Sequence, residues 1–303
     1  MKKYYYILGF IIILASSCTE IIEFDVGESD PILAVDAEIT TERKAHRVKL
    51  NYSTSVFDDE NPPLVTGASV IIEDDVHLHI LTEVEPGIYE TLDTVRGYEG
   101  RDYNLTILAD DNTYTATETL KPVGEIECAF LLKGDTSSLF FGDEYIVLMS
   151  AQEPEGLGDY YLWNYYEDGV LISDTIGEKF YGDDEFVDGT NFNGVLVVLI
   201  DTEKVDPVNK TMMLEMKSIS EGYYDYLLAL QLEKFRGSPF DGPPANPPTN
   251  LSNGAVGFFR ATDVSQKNMC VVFFNENGEP NIDLIIQTCD FGCADAIEDL
   301  FGQ

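Results

Sequence analysis

Three histidines, His46, His77 and His79, are the only imidazoles in the 303 residues. His77 and His79 alternate along a strand-like run and share a face, a spacing at which two side chains could ligate a metal. Two ligands are too few, and the plainer reading is the solvated face of an early hairpin. Nucleophilic catalysis needs a Ser or Cys beside a His and an orienting acid. The chain has no Gly-x-Ser-x-Gly, and all three histidines fall in the early strands of the first domain. No glycine-rich phosphate loop precedes a helix. Carboxylates are abundant, at 55 Asp+Glu, with clusters at Asp58-Asp59-Glu60, Asp74-Asp75, Asp110-Asp111 and Asp183-Asp184-Glu185. Two of them would suffice for glycoside hydrolysis, but no local motif supports it. Hard cations such as calcium favour carboxylate-rich loops. Residues 183–194 contain Asp188, Asn191 and Asn193, yet lack the spaced Asp-x-Asp-x-Asp-Gly pattern and its terminal Glu. The expectation is a protein without catalytic residues, cofactor or metal.

Cysteine carries the clearest chemistry. Met1-Lys2-Lys3 is a short basic start, and Tyr4 to Leu14 is an apolar run too short to span a bilayer. Ala15-Ser16-Ser17 then supplies small residues directly before Cys18. That order reads as a secretory leader ending at a bacterial lipobox, with Cys18 acylated after cleavage. The leucine at Leu14 sits one place earlier than usual. Several acyl chains on one Cys, at about 0.8 kcal/mol per buried methylene, anchor a protein stably. Four cysteines remain, Cys128, Cys270, Cys289 and Cys293. In an exported chain an even number permits disulfides, with three connectivities. Free buried thiols are the alternative. A zinc site is poorly supported, because no His lies near them.

The remaining candidate is aromatic. Tyr160-Tyr161-Leu162-Trp163-Asn164-Tyr165-Tyr166 alternates so that Tyr161, Trp163 and Tyr165 share one strand face. Such a face could stack on a sugar or anchor a peptide, or simply form sandwich core. Charge removes other classes. With 18 Lys+Arg the net charge is −37, which excludes a simple nucleic-acid binder and disfavours adsorption through a basic face.

These residues need positioning by strands. Residues 31–121 hold about seven short alternating runs, among them Ile32 to Ile39, Arg47 to Tyr52 and Asp102 to Leu108, with turn signals between them. That is the pattern of an immunoglobulin- or fibronectin-like β-sandwich. Lys121-Pro122-Val123-Gly124 reads as a junction. Residues 122–303 read as a second β-rich domain, expected to be another such β-sandwich with one inserted helix and a proline-rich loop, and with an Asp168-Gly169 hairpin turn. One helix is expected over about 218–236, capped by Ser220, with a stripe of Tyr223, Leu227, Leu230 and Phe235. A proline-rich loop (Pro239, Pro243, Pro244, Pro247, Pro248) follows it. Residues 1–17 would be the leader and 18–30 an acidic tether.

Several segments together resemble the Bacteroidota lipoprotein family catalogued as domain of unknown function 4249. They are Pro31 to Thr40, Val65 to Ile72, Pro86 to Thr91, Tyr98 to Leu105, Leu120 to Val123, and above all Ser238 to Pro244 followed by Pro247 to Phe259. The chain departs from the pattern at Glu38, where members tend to carry Gly. The resemblance implies an outer-membrane lipoprotein encoded beside a TonB-dependent receptor, and it implies no activity. The expected partners are therefore the membrane, through Cys18, and such a receptor. The alternative is a surface glycan- or peptide-binding lipoprotein. Residues 19–23 are not the dense acidic run that surface export would favour.

Overall fold

A two-residue burial period builds the first pair of layers. Strand β1 (Leu33–Thr40) buries Leu33, Val35, Ala37 and Ile39, and β2 (Arg47–Tyr52) buries Val48 and Leu50. β3 (Ser69–Glu73), β4 (Leu78–Ile80), β5 (Thr82–Glu85), β6 (Ile88–Glu90), β7 (Asp102–Ala109) and β8 (Asn112–Thr119) follow. One sheet contains β1-β2-β6-β5 and the other runs β4-β3-β7-β8. They close on one core that includes Leu50, Ile72, Tyr89, Tyr103, Leu105 and Ile107. At the β7–β8 turn Asp110 and Asp111 have φ of 46° and 60°, the left-handed pair that a two-residue hairpin requires. The computed structural model describes residues 31–54, 61–133, 144–201, 203, 210–236, 246–272 and 293. The leader with Cys18, the tether, the Asp58-Asp59-Glu60 cluster, Cys289 and the first half of the proline loop lie outside them.

The second body repeats the layering. It contains β9 (Ile126–Lys133), β10 (Glu144–Gln152), β11 (Tyr160–Glu167), β12 (Val170–Leu171), β13 (Phe180–Asp183), β14 (Asn191–Asp201) and β15 (Met212–Ile219). Helix α1 (Glu221–Lys234), β16 (Val256–Thr262), β17 (Val264–Asn268) and β18 (Cys270–Val272) complete the described elements. Sheets β14-β10-β9-β18 and β12-β11-β15-β17, the latter with β13 beside β11, enclose Leu131, Val147, Met149, Leu214 and Met216. Asp168 and Gly169 form the expected turn, with φ of 47° and 77°. The fold is mainly β and sandwich-like, with one α-helix among the described residues. Ser220 caps that helix, its Oγ accepting from Tyr223 N at 3.3 Å. Tyr223 and Leu227 are buried as expected, but Phe235 lies past the last turn and is 72% exposed.

The two sandwiches are not consecutive stretches of chain. β16, which the sequence places in the second domain, joins the first sheet parallel to β1, from Ala34 opposite Val256 to Thr40 opposite Thr262. Its Phe259 and Ala261 complete the first core. A parallel partner needs a long connection, so alternation alone does not reveal it. Gly257 makes the pairing feasible: with φ +98°, any Cβ there would sit 2.0 Å from Val35 O. The next strand, β17, returns to the second body and pairs with β15. The crossings at 121–125 and 262–264 run side by side and are tied by Asp263. It accepts from Thr41 Oγ1 at 2.6 Å and Val123 N at 2.9 Å, and its own N–H donates to Ser218 Oγ at 2.9 Å.

Candidate functional site

The aromatic strand does not present an open platform. Tyr161 and Tyr165 are 4% and 0% exposed, and Trp163 packs against the same core. They face the opposite sheet, sharing a core with Leu131, Val147 and Val198, and β11 is flanked by β15 on one edge and by β13 and β12 on the other. The hydroxyls end on buried acids: Tyr161 donates to Glu153 at 2.6 Å and Tyr165 to Glu167 at 2.9 Å. Burial and those acids push both phenols well above the ordinary tyrosine value. The other face is covered too, since Leu162 and Ile219 pack against Tyr223 and Leu227 of α1. Tyr161, Trp163 and Tyr165 are therefore structural, which corrects their reading as ligand or partner aromatics.

His77 and His79 stack at 6.0 Å between ring centroids, and His77 also stacks on Tyr98. Asp74 is held by Arg101 at 2.8 Å and caps the turn through Val76 N and His77 N. The pair thus belongs to a turn-stabilising cluster. Among the described residues, Glu153, Asp159 and Asp184 each bring a carboxylate oxygen within 4.8 Å of the others. This group could hold a hard cation; burial, then neighbouring acids, raise the carboxyls of Asp159 and, despite its hydrogen bonds, Glu153. Sequence reading had singled out only Asp184 of the three.

Two of the cysteines form a disulfide, Cys128–Cys293, spanning 165 residues. Cys270 is also disulfide-bonded. Cys128, Phe130, Leu132, Cys270 and Cys293 make a small core on the outer side of β9.

The junction holds a polar network that sequence reasoning missed. Glu38 accepts from Lys217 Nζ at 2.9 Å and lies 3.7 Å from Arg260 Nε. Lys217 also faces Glu215 Oε1 at 3.6 Å, and Glu215 accepts from Asn164 and Gln266, both at 2.9 Å. Burial alone would raise the Glu38 carboxyl, but Lys217 and Arg260 outweigh it and hold it at about 2. The same acids hold the Lys217 ammonium above its ordinary value against the cost of burial. The signal available beforehand was weak: Glu215 and Lys217 put two charges of opposite sign into the Met-Leu-Glu-Met-Lys run, and Glu38 departs from the family pattern.

Beside this network the outer face of the first sheet is open. Its floor is β1 and β2, and α1 walls the part that reaches Tyr226 and Leu230. One cleft of about 530 Å³ is lined by Lys44, Arg47, Lys49 and Arg260 with Asp36, Glu38 and Glu90. A second, of about 370 Å³, continues past Asp36 and Lys49 to Tyr226, Leu230 and Pro247. Most of the cations are engaged. Arg47 grips Glu90 at 2.6 Å, and Arg260 donates to Asp36 and to Tyr223 OH, each at 2.7 Å. Lys44 pairs with Glu42.

His46 lies beneath this cleft, 2% exposed. Its Nδ1 accepts from Thr40 N at 3.3 Å, and its Nε2 lies 3.1 Å from Val95 O. That pattern fits the neutral ring, and burial lowers its affinity for a proton. The folded pKa is thus below the unfolded value of about 6.5, so the unfolded state takes up the proton first. Stability from His46 is present above about pH 6.5 and falls as pH drops from there towards the folded pKa. Raised carboxyls such as Glu118 and Glu153 act with opposite sign. The clean readout is therefore a difference: His46→Gln should lose less stability than the native chain between about pH 6.5 and 5, by thermal melts.

The arrangement defines a class: a two-sandwich β protein, cross-braced by a strand that crosses between the bodies, with a charged cleft over its first sheet. The chain belongs to the family described as Domain of unknown function (DUF4249), which it matches over residues 19–268. No curated protein matches it. Among solved structures it is similar to a chain titled "Cytokine receptor complex - Crystal form 1A", at 9% identity over 78% of this chain and 94% of that one. The TM-score is 0.22, which carries no argument about fold or function.

Proposed function

We propose that this protein is an outer-membrane lipoprotein, held by acyl chains on Cys18, that serves a TonB-dependent receptor in nutrient uptake without catalysis of its own. The observation that carries the reading is Cys18 directly after the basic start, the short apolar run and three small residues. Family membership supports it, because such proteins resemble lipoproteins encoded beside TonB-dependent receptors. The net charge of −37 is consistent with a lipid tether, since an acidic body gains nothing from adsorbing to an anionic surface. Mass spectrometry of the mature chain tests the anchor: it should begin at an acylated Cys18 and fractionate with the outer membrane. Cys18→Ser should carry no acyl group and leave that fraction. An unacylated mature chain starting elsewhere would overturn the proposal.

The second reading, a surface protein that binds glycan or peptide, loses the platform of Tyr161, Trp163 and Tyr165. One observation still favours a bound ligand, the pair of adjoining clefts over the first sheet, the second of them walled by α1.

A further inference from the structure

We infer that the two adjoining clefts beside α1 form one groove for an amphipathic carboxylate: a short peptide whose C-terminal acid sits over Lys49 and whose apolar side chain lies against Tyr226 and Leu230. This rests on the second, ligand-binding reading and on neither the lipid anchor nor the receptor.

The local charge is the first argument. Cations are outnumbered three to one in the whole chain, at 18 against 55. The larger cleft reverses that, with four cations and three acids. Lys49 is the cation left over. It stands opposite Asp36 in the β1–β2 register, but Asp36 is taken by Arg260. Among the described residues the Lys49 side chain makes no ion pair or hydrogen bond. A carboxylate at Lys49 would form a charge-assisted contact without displacing an existing one.

The second argument is the neighbouring cleft. It shares Asp36 and Lys49 and then turns apolar, with half-buried Tyr226 and Leu230 on α1 and Pro247 opposite. Asn51 and Asn246 line the same stretch, and their amides both donate and accept, as a peptide bond requires. A simple inorganic anion would leave this half empty. A wholly apolar ligand would leave Lys49 unpaired. The groove is also preorganised, because its floor is two paired strands and its wall a capped helix, with Arg260 stacked 5.0 Å over the Tyr223 ring.

Calorimetric titration of the full-length chain with N-acetyl-Leu-Leu-Phe, as free acid and as C-terminal amide, tests the assignment. The acid should bind about tenfold more tightly than the amide. Lys49→Gln should remove that preference while leaving residual binding of both. Tyr226→Ala should weaken acid and amide alike. Lys49 is exposed, so its variant is expected to melt as the native chain does. Equal binding of acid and amide, a preference that survives Lys49→Gln, tighter binding of inorganic phosphate or glucuronate, or no heat up to about 10 mM peptide would each overturn the inference. Receptor capture is a separate measurement, so either reading can fail alone.

Discussion

Lys217→Met is expected to destabilise the folded chain by about 3 kcal/mol. The side chain of Lys217 is 9% exposed, and it faces Glu38 and Glu215, whose side chains are 22% and 3% exposed. Removing the ammonium leaves two carboxylates in the junction without their shared cation, and one buried charge without its partner typically costs about 3–5 kcal/mol. Arg260 still lies near Glu38, and Glu38 is partly solvated, so the lower end applies. For a chain of this size the shift corresponds to a Tm lower by roughly 6–12 °C. The companion variant decides the cause. Glu38→Gln combined with Lys217→Met should recover part of the loss, because one of the two stranded charges is removed while Glu215 keeps its bonds from Asn164 and Gln266. If the double variant is as unstable as the sum of the singles, the packing of the lysine stem is responsible and not the ion pair. The pH dependence has a definite sign. Glu38 is held at about 2 in the folded state, below its unfolded value, so its stabilisation is present above about pH 4.3 and is lost as pH falls towards 2.

The second large effect is expected at Cys128–Cys293. This disulfide closes 165 residues, and constraint of the unfolded chain by a loop of that length is worth up to about 5 kcal/mol. Cys128→Ser with Cys293→Ser keeps Cys270 in its own disulfide, so the loss should approach that figure from below. Urea titration of native and variant chains under non-reducing conditions measures it. The same midpoint for both would mean that residue 293 contributes nothing to holding the outer side of β9.

The sequence made the local elements plain and left the long-range pairing hidden. Alternation at Leu33, Val35, Ala37 and Ile39 marks β1 as a half-buried strand, and Asp168-Gly169 marks the turn between β11 and β12, because both signals are confined to neighbouring residues. The partner of β16 was not legible, since Val-Gly-Phe-Phe reads as a strand wherever it pairs. Only Gly257, where a side chain would meet Val35 O, records the close approach. The same limit explains the aromatic strand. Period two correctly put Tyr161, Trp163 and Tyr165 on one face, but it could not say that a second sheet covers that face and α1 the other. The junction charges were missed because Glu38 and Lys217 lie 179 positions apart. Neither residue's own strand shows its partner, and the groove beside them exists only once β16 has delivered Arg260.

The role proposed for this protein is that of a tethered two-sandwich body working with a receptor at the outer membrane. Crosslinking in intact cells, followed by mass-spectrometric identification of the partners, tests it most directly. The account predicts a TonB-dependent receptor crosslinked to residues of the two sandwiches, and loss of that product in Cys18→Ser. A membrane-free chain, or a membrane-bound one that yields no such receptor, would contradict it.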